Sequence, residues 1–418
     1  RYPHQAHLVS FPLTIGAFLH FIPRLLYCID QRKMANVTLY VGGKREAIEA
    51  AEAKTHVERF EKQADGNTVV KLDISCRSWS KESIDVLLQF MKDHAKDVRY
   101  LNLADIIASK ETEEGLQITE SIATAFLESN LLEVELSDNA MGPRGLTRVE
   151  SLFKNSAMQR LYLYNCGLSY ESMELLHTWI TADDGRIANT LSELILDRNM
   201  MGVDGAKEVG KFLPHCKKLT YFSYNGSRPT SEGTKYLCEG LAGLAKNCKP
   251  VLRRLDLEDC DFGADGTIES LCEALAKSNQ LQHLNLNDAE LGVEGLEKLA
   301  AAFVESSCHL THLKLDANGE LGSDGARVLA DFLVSQAGSL VCLHAGINEL
   351  GDEGIPILLE PFSACRNVLE DLKLDQNEIE GEGAKALIFT SFPKLKSLNL
   401  EENDDMPKNP IIAKYGNI

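Results

Sequence analysis

LLEVELSDNAMGPRGLTRVESLFKNSAMQRLYLYNCGL, residues 131–168, states one phrase twice. Val134-x-Leu136-x-x-Asn139-x-Met141-Gly142 returns as Leu161-x-Leu163-x-x-Cys166-Gly167-Leu168, with an apolar stretch of helical spacing between the copies. Apolar residues two apart share one face of an extended strand, whereas a period near 3.6 marks a helix. Each copy therefore predicts a short strand, a turn closed by Asn or Cys, and a helix leading to the next strand.

The phrase runs from Leu72 to the end of the chain. Its first apolar residue falls at Leu72, Leu101, Val134, Leu161, Leu194, Phe222, Leu255, Leu284, Leu313, Leu343, Leu372 and Leu398, so the copies lie 26 to 33 residues apart. This is the leucine-rich-repeat signature L-x-x-L-x-L-x-x-N/C-x-L, in the long, ribonuclease-inhibitor-like class with a full helix per repeat. The expected fold class is an α/β leucine-rich-repeat solenoid: a crescent with parallel strands on the concave face and helices on the convex face. Helices are expected around 206–213, 268–276, 295–303 and 325–333.

Residues 71–403 are read as one domain of about twelve repeats, because repeat proteins grow as a continuous unit. Residues 34–70 are read as an N-terminal cap over the first open edge, with a strand at 37–41 and a helical pattern over 45–64. Residues 404–418 form a short polar tail. The apolar, aromatic segment 1–33 stands apart, and is read as sequence upstream of a true start at Met34, with a membrane or signal segment as the alternative.

A net charge of −19 over 418 residues argues against a nucleic-acid footprint and for a basic protein partner. Eleven cysteines, several inside the repeat phrase, are read as reduced thiols in a cytosolic or nuclear compartment. A monomer without membrane association is expected.

The repeat sorts the conspicuous polar residues. Three positions past the second apolar residue lies a ladder position, held by Asn139, Cys166, Asn199, Ser227, Cys260, Ala289, Asn318, Asn348, Asn377 and Asn403. A buried Asn or Cys there is expected to bond the turn backbone, where unpaired polar groups are costly. The residue before it points out of the strand-to-helix loop, and no packing rule dictates its identity. That set reads Asp105, Asp138, Asn165, Arg198, Gly226, Asp259, Asp288, Ala317, Ile347, Gln376 and Glu402.

Three longer spacings mark insertions. The first carries SKETEE (109–114), read as a polar loop on an early repeat. That around 181–189 precedes a strand and is read as decoration, and that around 243–253 also precedes a strand. No Gly-rich phosphate loop, paired C-x-x-C or G-x-S-x-G is present. Cys308-His309-x-x-His312 has metal-like spacing but lies in repeat register, and no metal is expected. His283, His312 and His344 form a stripe on the strand side, read as a solvated face. Asp197, Asp256, Glu258, Asp259, Asp288, Asp316, Asp375, Glu401 and Glu402 read as an acidic field facing a basic partner. A chemistry of the chain's own is not expected.

The loops resemble those of RanGAP, the GTPase-activating protein of the small GTPase Ran, most closely the plant form. The resemblance is carried by Leu136-Ser-Asp-Asn-Ala-Met-Gly-Pro143, Leu161-Tyr-Leu-Tyr-Asn-Cys-Gly-Leu168, Asp197-Arg-Asn-Met-Met-Gly-Val-Asp-Gly-Ala206 and Ser227-Arg-Pro-Thr-Ser-Glu-Gly233, in order over roughly residues 70–400. It implies an activator of Ran in its GTP form that works without an arginine finger in nucleocytoplasmic transport. An asparagine, here Asn165, would hold the partner's catalytic glutamine. Lys110, Asp138, Arg198 and Arg228 would bind the partner. Lys110 stands where the family has an arginine, so charge is kept but the planar fork is lost. GTP and Mg²⁺ would belong to the partner, leaving no cofactor of the chain's own, and a Ran-binding protein is a further implied partner. Location would be cytoplasmic, with the nuclear envelope as an alternative. The other open reading is a binding-only scaffold or inhibitor of the ribonuclease-inhibitor type.

Overall fold

A computed structural model describes residues 35–403 except 249, 250, 320, 381, 382, 384, 386 and 388–391. The apolar segment 1–33 and the tail 404–418 lie outside the described residues. Among the described residues no helix is long and apolar enough to cross a membrane.

Among the described residues thirteen strands form one parallel sheet in chain order, from Asn36–Tyr40 and Thr68–Asp73 to Ser397–Asn399. Most are three residues long, as in Glu133–Glu135, Arg160–Tyr162 and Glu193–Ile195. Their central residues are the first apolar residues of the repeated phrase, and they align strand to strand: Leu72 beside Leu101, Val134 beside Leu161, Leu313 beside Leu343, Leu372 beside Leu398. The expected α/β solenoid is therefore what forms. Each centre is buried against the helices, while its two neighbours along the strand face outward on the sheet's open face. Burying such a Leu contributes about 1.5–3 kcal/mol, which makes the register costly to slip.

The helices close one continuous core running from Leu39 to Leu400. The expected helices appear as Gly202–Phe212, Thr267–Ala276, Gly292–Ser306 and Gly322–Ser335. At the N-terminus, Asn36–Tyr40 pairs with Thr68–Asp73, and the helix Ala50–Ala64 packs Ala53 and Phe60 inward. The cap thus belongs to the same sheet as the repeats.

The insertions differ from expectation. Only the first half of SKETEE is loop, because Thr112 opens the helix Thr112–Ala125 with Glu113 and Glu114 in its first turn. Carboxylates there meet the exposed backbone N–H groups and the positive end of the helix dipole. The insertion near 243 is largely extra helix, since Thr230–Asn247 is 18 residues long. That near 181 breaks its helix at Ala182, Asp183 and Asp184, where φ and ψ leave the helical region.

Candidate functional site

The ladder residues support the loops. Asn139 accepts from the N–H of Ile106 (2.9 Å) and donates through Nδ2 to the carbonyls of Leu103 and Leu136 (2.7 and 2.8 Å). Asn199 repeats the pattern two repeats later, accepting from the N–H groups of Cys166 and Leu168 and donating to Leu163. Asn318, Asn348, Asn377 and Asn403 likewise donate to Leu286, Leu315, Ala345 and Leu374. Cys166 and Cys260 reach the corresponding carbonyls of Leu136 and Tyr224 through sulfur. Burial pushes the Cys166 and Cys260 thiols well up, so both are neutral donors.

The outward-pointing set carries a constraint that sequence reasoning missed. Every member has positive φ: Asp105, Asp138, Asn165, Arg198, Gly226, Asp259, Asp288, Ala317, Ile347, Gln376 and Glu402 lie between 49° and 60°. The left-handed turn lets each N–H donate into the next repeat, as Asp138 N does to Tyr164 O (2.8 Å) and Asn165 N to Asp197 O (2.9 Å). Asn, Asp and Gly tolerate this region better than other residues. The Asn or Asp at these places thus has a backbone reason, where no packing rule dictates its identity. Arg198, Ala317, Ile347, Gln376 and Glu402 have no such reason.

Asn165 is exposed, and its Nδ2 donates to Asp138 Oδ1 at 2.8 Å. A carboxylate can only accept, so the amide nitrogen must face Asp138, and Asn165 Oδ1 is left as the remaining acceptor. Asn165, Asp138 and Lys110 line one cleft of about 420 Å³, floored by Ile107 and Leu116. Lys110 lies 3.8 Å from Glu114, and its backbone N–H donates to Ile107 O.

The cleft also holds Arg45 from the cap, which sequence reasoning did not single out. Its guanidinium donates to both Asp105 oxygens, through Nε at 2.9 and 2.8 Å and Nη2 at 2.5 Å, and stays largely exposed. The turn that delivers it is organised by Arg77, which holds the ladder position of the repeat that begins at Leu72. Arg77 is buried and donates to Gly42 O, Glu46 O and Glu52 Oε1. Gly43, at φ 123°, lies so close that a Cβ would fall 2.6 Å from Arg77 Nη1. The adjacent Gly42-Gly43 is the one sequence signal for this turn, and nothing local links it to Asp105, 60 residues away.

Arg198 and Arg228 do not enter that cleft. Arg198 lies on the next loop, its guanidinium 5.7 Å from the Tyr164 ring centre. Arg228, one past its ladder Ser227, is exposed and 3.6 Å from Asp259. They extend the same edge.

Part of the expected acidic field is internal. Asp197 accepts from Ser223 and Asn225, Asp256 from Arg254 and Tyr221, and Asp316 from Gly346 N and Lys373. These three and Asp375 are buried, holding the sheet's open face together rather than facing a partner. The Cys308-His309-x-x-His312 spacing does not converge either: Cys308 donates to Leu281 O, and the His312 ring stacks on His283 at 4.0 Å.

The fold and its loop edge define a leucine-rich-repeat protein. A family model described as Leucine Rich repeat matches residues 248–269, 277–300, 306–330 and 367–387. The chain is RanGAP-like over part of its length: it is 32% identical over 124 residues to RAN GTPase-activating protein 2 of Arabidopsis thaliana, covering 29% of this chain and 22% of that protein. RAN GTPase-activating protein 1 of the same plant is 29% identical over 123 residues, covering 29% of this chain and 23% of the relative. Ribonuclease inhibitor of Mus musculus is 26% identical over 336 residues, covering 66% of this chain and 65% of that protein. The chain thus spans less than two thirds of the length of each of these relatives.

Proposed function

We propose that the protein activates GTP hydrolysis by a Ran-type small GTPase, supplying no active site of its own. The observation that carries this reading is the Asn165 carboxamide, exposed on a left-handed loop and held through Nδ2 by Asp138, which leaves Oδ1 to accept from a partner. An acceptor in that position suits the amide N–H₂ of a partner glutamine. Holding such a glutamine fixes the water it orients, and the barrier falls through positioning. GTP and Mg²⁺ stay with the partner. Lys110 and Arg45 flank Asn165 in the same cleft, where cations suit an acidic or phosphate-bearing surface. The partial likeness to two plant activators of Ran supports the choice of partner. We place the activity in the cytoplasm.

A second reading is favoured by the longer alignment with ribonuclease inhibitor: the chain binds a protein partner without accelerating any reaction. Single-turnover GTP hydrolysis by purified Ran, with this protein at catalytic concentration, separates the two. Acceleration supports the activator. Binding without acceleration leaves the scaffold.

A further inference from the structure

On the sheet's open face, away from the loop cleft, strands Cys342–His344 and Asp371–Lys373 bring together a thiol, an imidazole and a carboxylate. Cys342 and His344 are two residues apart and share a face, while Asp371 sits in register beside Cys342. One ligand atom from each lies within 4.8 Å of the other two. Asp371 Oδ2 is 2.9 Å from His344 Nε2 and 3.6 Å from Cys342 Sγ.

Three chemistries could use this trio. A Cys-His-Asp nucleophile needs the imidazole between thiol and carboxylate. Here one carboxylate oxygen receives both, so no base is aimed at the sulfur. A plain His–Asp ion pair explains two residues and leaves the thiol as a bystander. The third is metal ligation. Tetrahedral zinc, with bonds of about 2.0–2.3 Å to N, O and S, separates its ligand atoms by about 3.3–3.6 Å. Asp371 Oδ2 lies at such a separation from the sulfur, at 3.6 Å, while its 2.9 Å to the imidazole nitrogen is a hydrogen bond that would lengthen on loading.

We infer that Cys342, His344 and Asp371 form a binding site for a borderline divalent metal of the Zn²⁺ or Co²⁺ type, with a fourth position open to solvent. Thiolate and carboxylate together balance the ion's charge, and an imidazole completes a set that suits zinc and cobalt rather than calcium or magnesium. A thiol ligand gives up its proton when it takes the metal, so loading is coupled to proton release. Lys314 stands in register beside His344 and opposes a cation there. Lys373, the other lysine nearby, is drawn off by Asp316 and Asp375 at 3.0 and 3.4 Å. The sequence hides the site because its ligands come from two repeats. The inference is independent of the activity proposed above.

The test uses the full chain, stripped with a chelator and titrated with Co²⁺. One equivalent should produce a thiolate-to-cobalt charge-transfer band with tetrahedral d–d bands, and Zn²⁺ should displace it. Cys342→Ser should abolish the charge-transfer band, and His344→Ala should weaken Co²⁺ binding at least tenfold, with circular dichroism unchanged in both. Cys76, the exposed cysteine among those described, is the competing thiol, so Cys76→Ser should leave the band intact. Absence of a band in the unaltered protein, or its survival in Cys342→Ser, overturns the proposal.

Discussion

Arg45 and Asp105 join the N-terminal cap to the first of the left-handed loop residues, with three donor–acceptor distances of 2.5–2.9 Å. The pair is exposed on the guanidinium side and part-buried on the carboxylate side, so it restrains Arg45 without removing its charge from solvent. An exposed pair of this kind contributes about 0.2–1 kcal/mol to stability. Arg45→Ala should therefore shift Tm by less than about 2 °C. It should raise the concentration of the protein needed for half-maximal GTPase activation on the order of three- to tenfold, with Arg45→Lys intermediate. Equal activation curves for Arg45→Ala and the unaltered protein would remove Arg45 from the partner surface.

Asn165 and Asn199 should separate function from fold. Asn165→Ala removes an exposed amide and is expected to cut single-turnover activation on the order of 10- to 100-fold, with a stability loss of only about 0.5–1 kcal/mol from the left-handed backbone. Asn199→Ala strands the N–H groups of Cys166 and Leu168 and the carbonyl of Leu163 in the core. The expected loss of stability is about 2–4 kcal/mol. Urea denaturation of the two variants beside the GTPase assay reads both effects.

Ile347 is a β-branched residue at φ 56° and 42% exposed. A left-handed conformation costs an ordinary L-residue about 1–2 kcal/mol, and Asn avoids part of that. Ile347→Asn should raise the urea midpoint by the equivalent of about 0.5–1 kcal/mol at unchanged slope. A lower midpoint would show that the Ile347 side chain contributes more than its backbone costs.

Asp197 gives a pH signature. Burial, and then the charges of Asp256 and Glu258, hold its carboxyl above the usual range despite hydrogen bonds from Ser223 and Asn225. A folded pKa above the unfolded one means that the folded state binds the proton more tightly. This group's contribution is therefore fully favourable below the unfolded value of about 3.9 and is lost as pH rises through the folded value. Asp197→Asn keeps an acceptor without the charge. It should raise Tm at pH 7, with the gain shrinking as pH approaches 4. A gain that does not depend on pH would point to packing instead.

The fold was readable because the repeat writes its register in apolar residues, and each aligned centre from Leu72 to Leu398 is a position where a polar residue is expensive. The ladder positions followed for the same reason: burial and an orphaned turn backbone leave few side chains that fit. The site was only partly readable. Asn165 and Asp138 could be placed on the loop edge, yet their left-handed backbone could not, since φ leaves no periodic trace. Arg45 could not be found at all, because its partner is 60 residues away and its position depends on Arg77 filling a slot where an Asn or Cys was expected. The acidic residues misled for a related reason. An Asp on an outward strand position looks solvated, but cross-strand bonds fold Asp197 and Asp256 into the sheet.

Each polar ladder side chain serves the loop of the repeat before its own, so the brace for such a loop is encoded about one repeat later in the chain. Asn165 owes its position to Asn199 and to the carbonyl of Asp197, not to residues of its own repeat. The cleft is therefore not a portable module. A piece cut after about residue 190 would contain Arg45, Lys110, Asp138 and Asn165 and still lose the scaffold that presents them. Grafting these loops onto another solenoid would require the following repeat to travel with them.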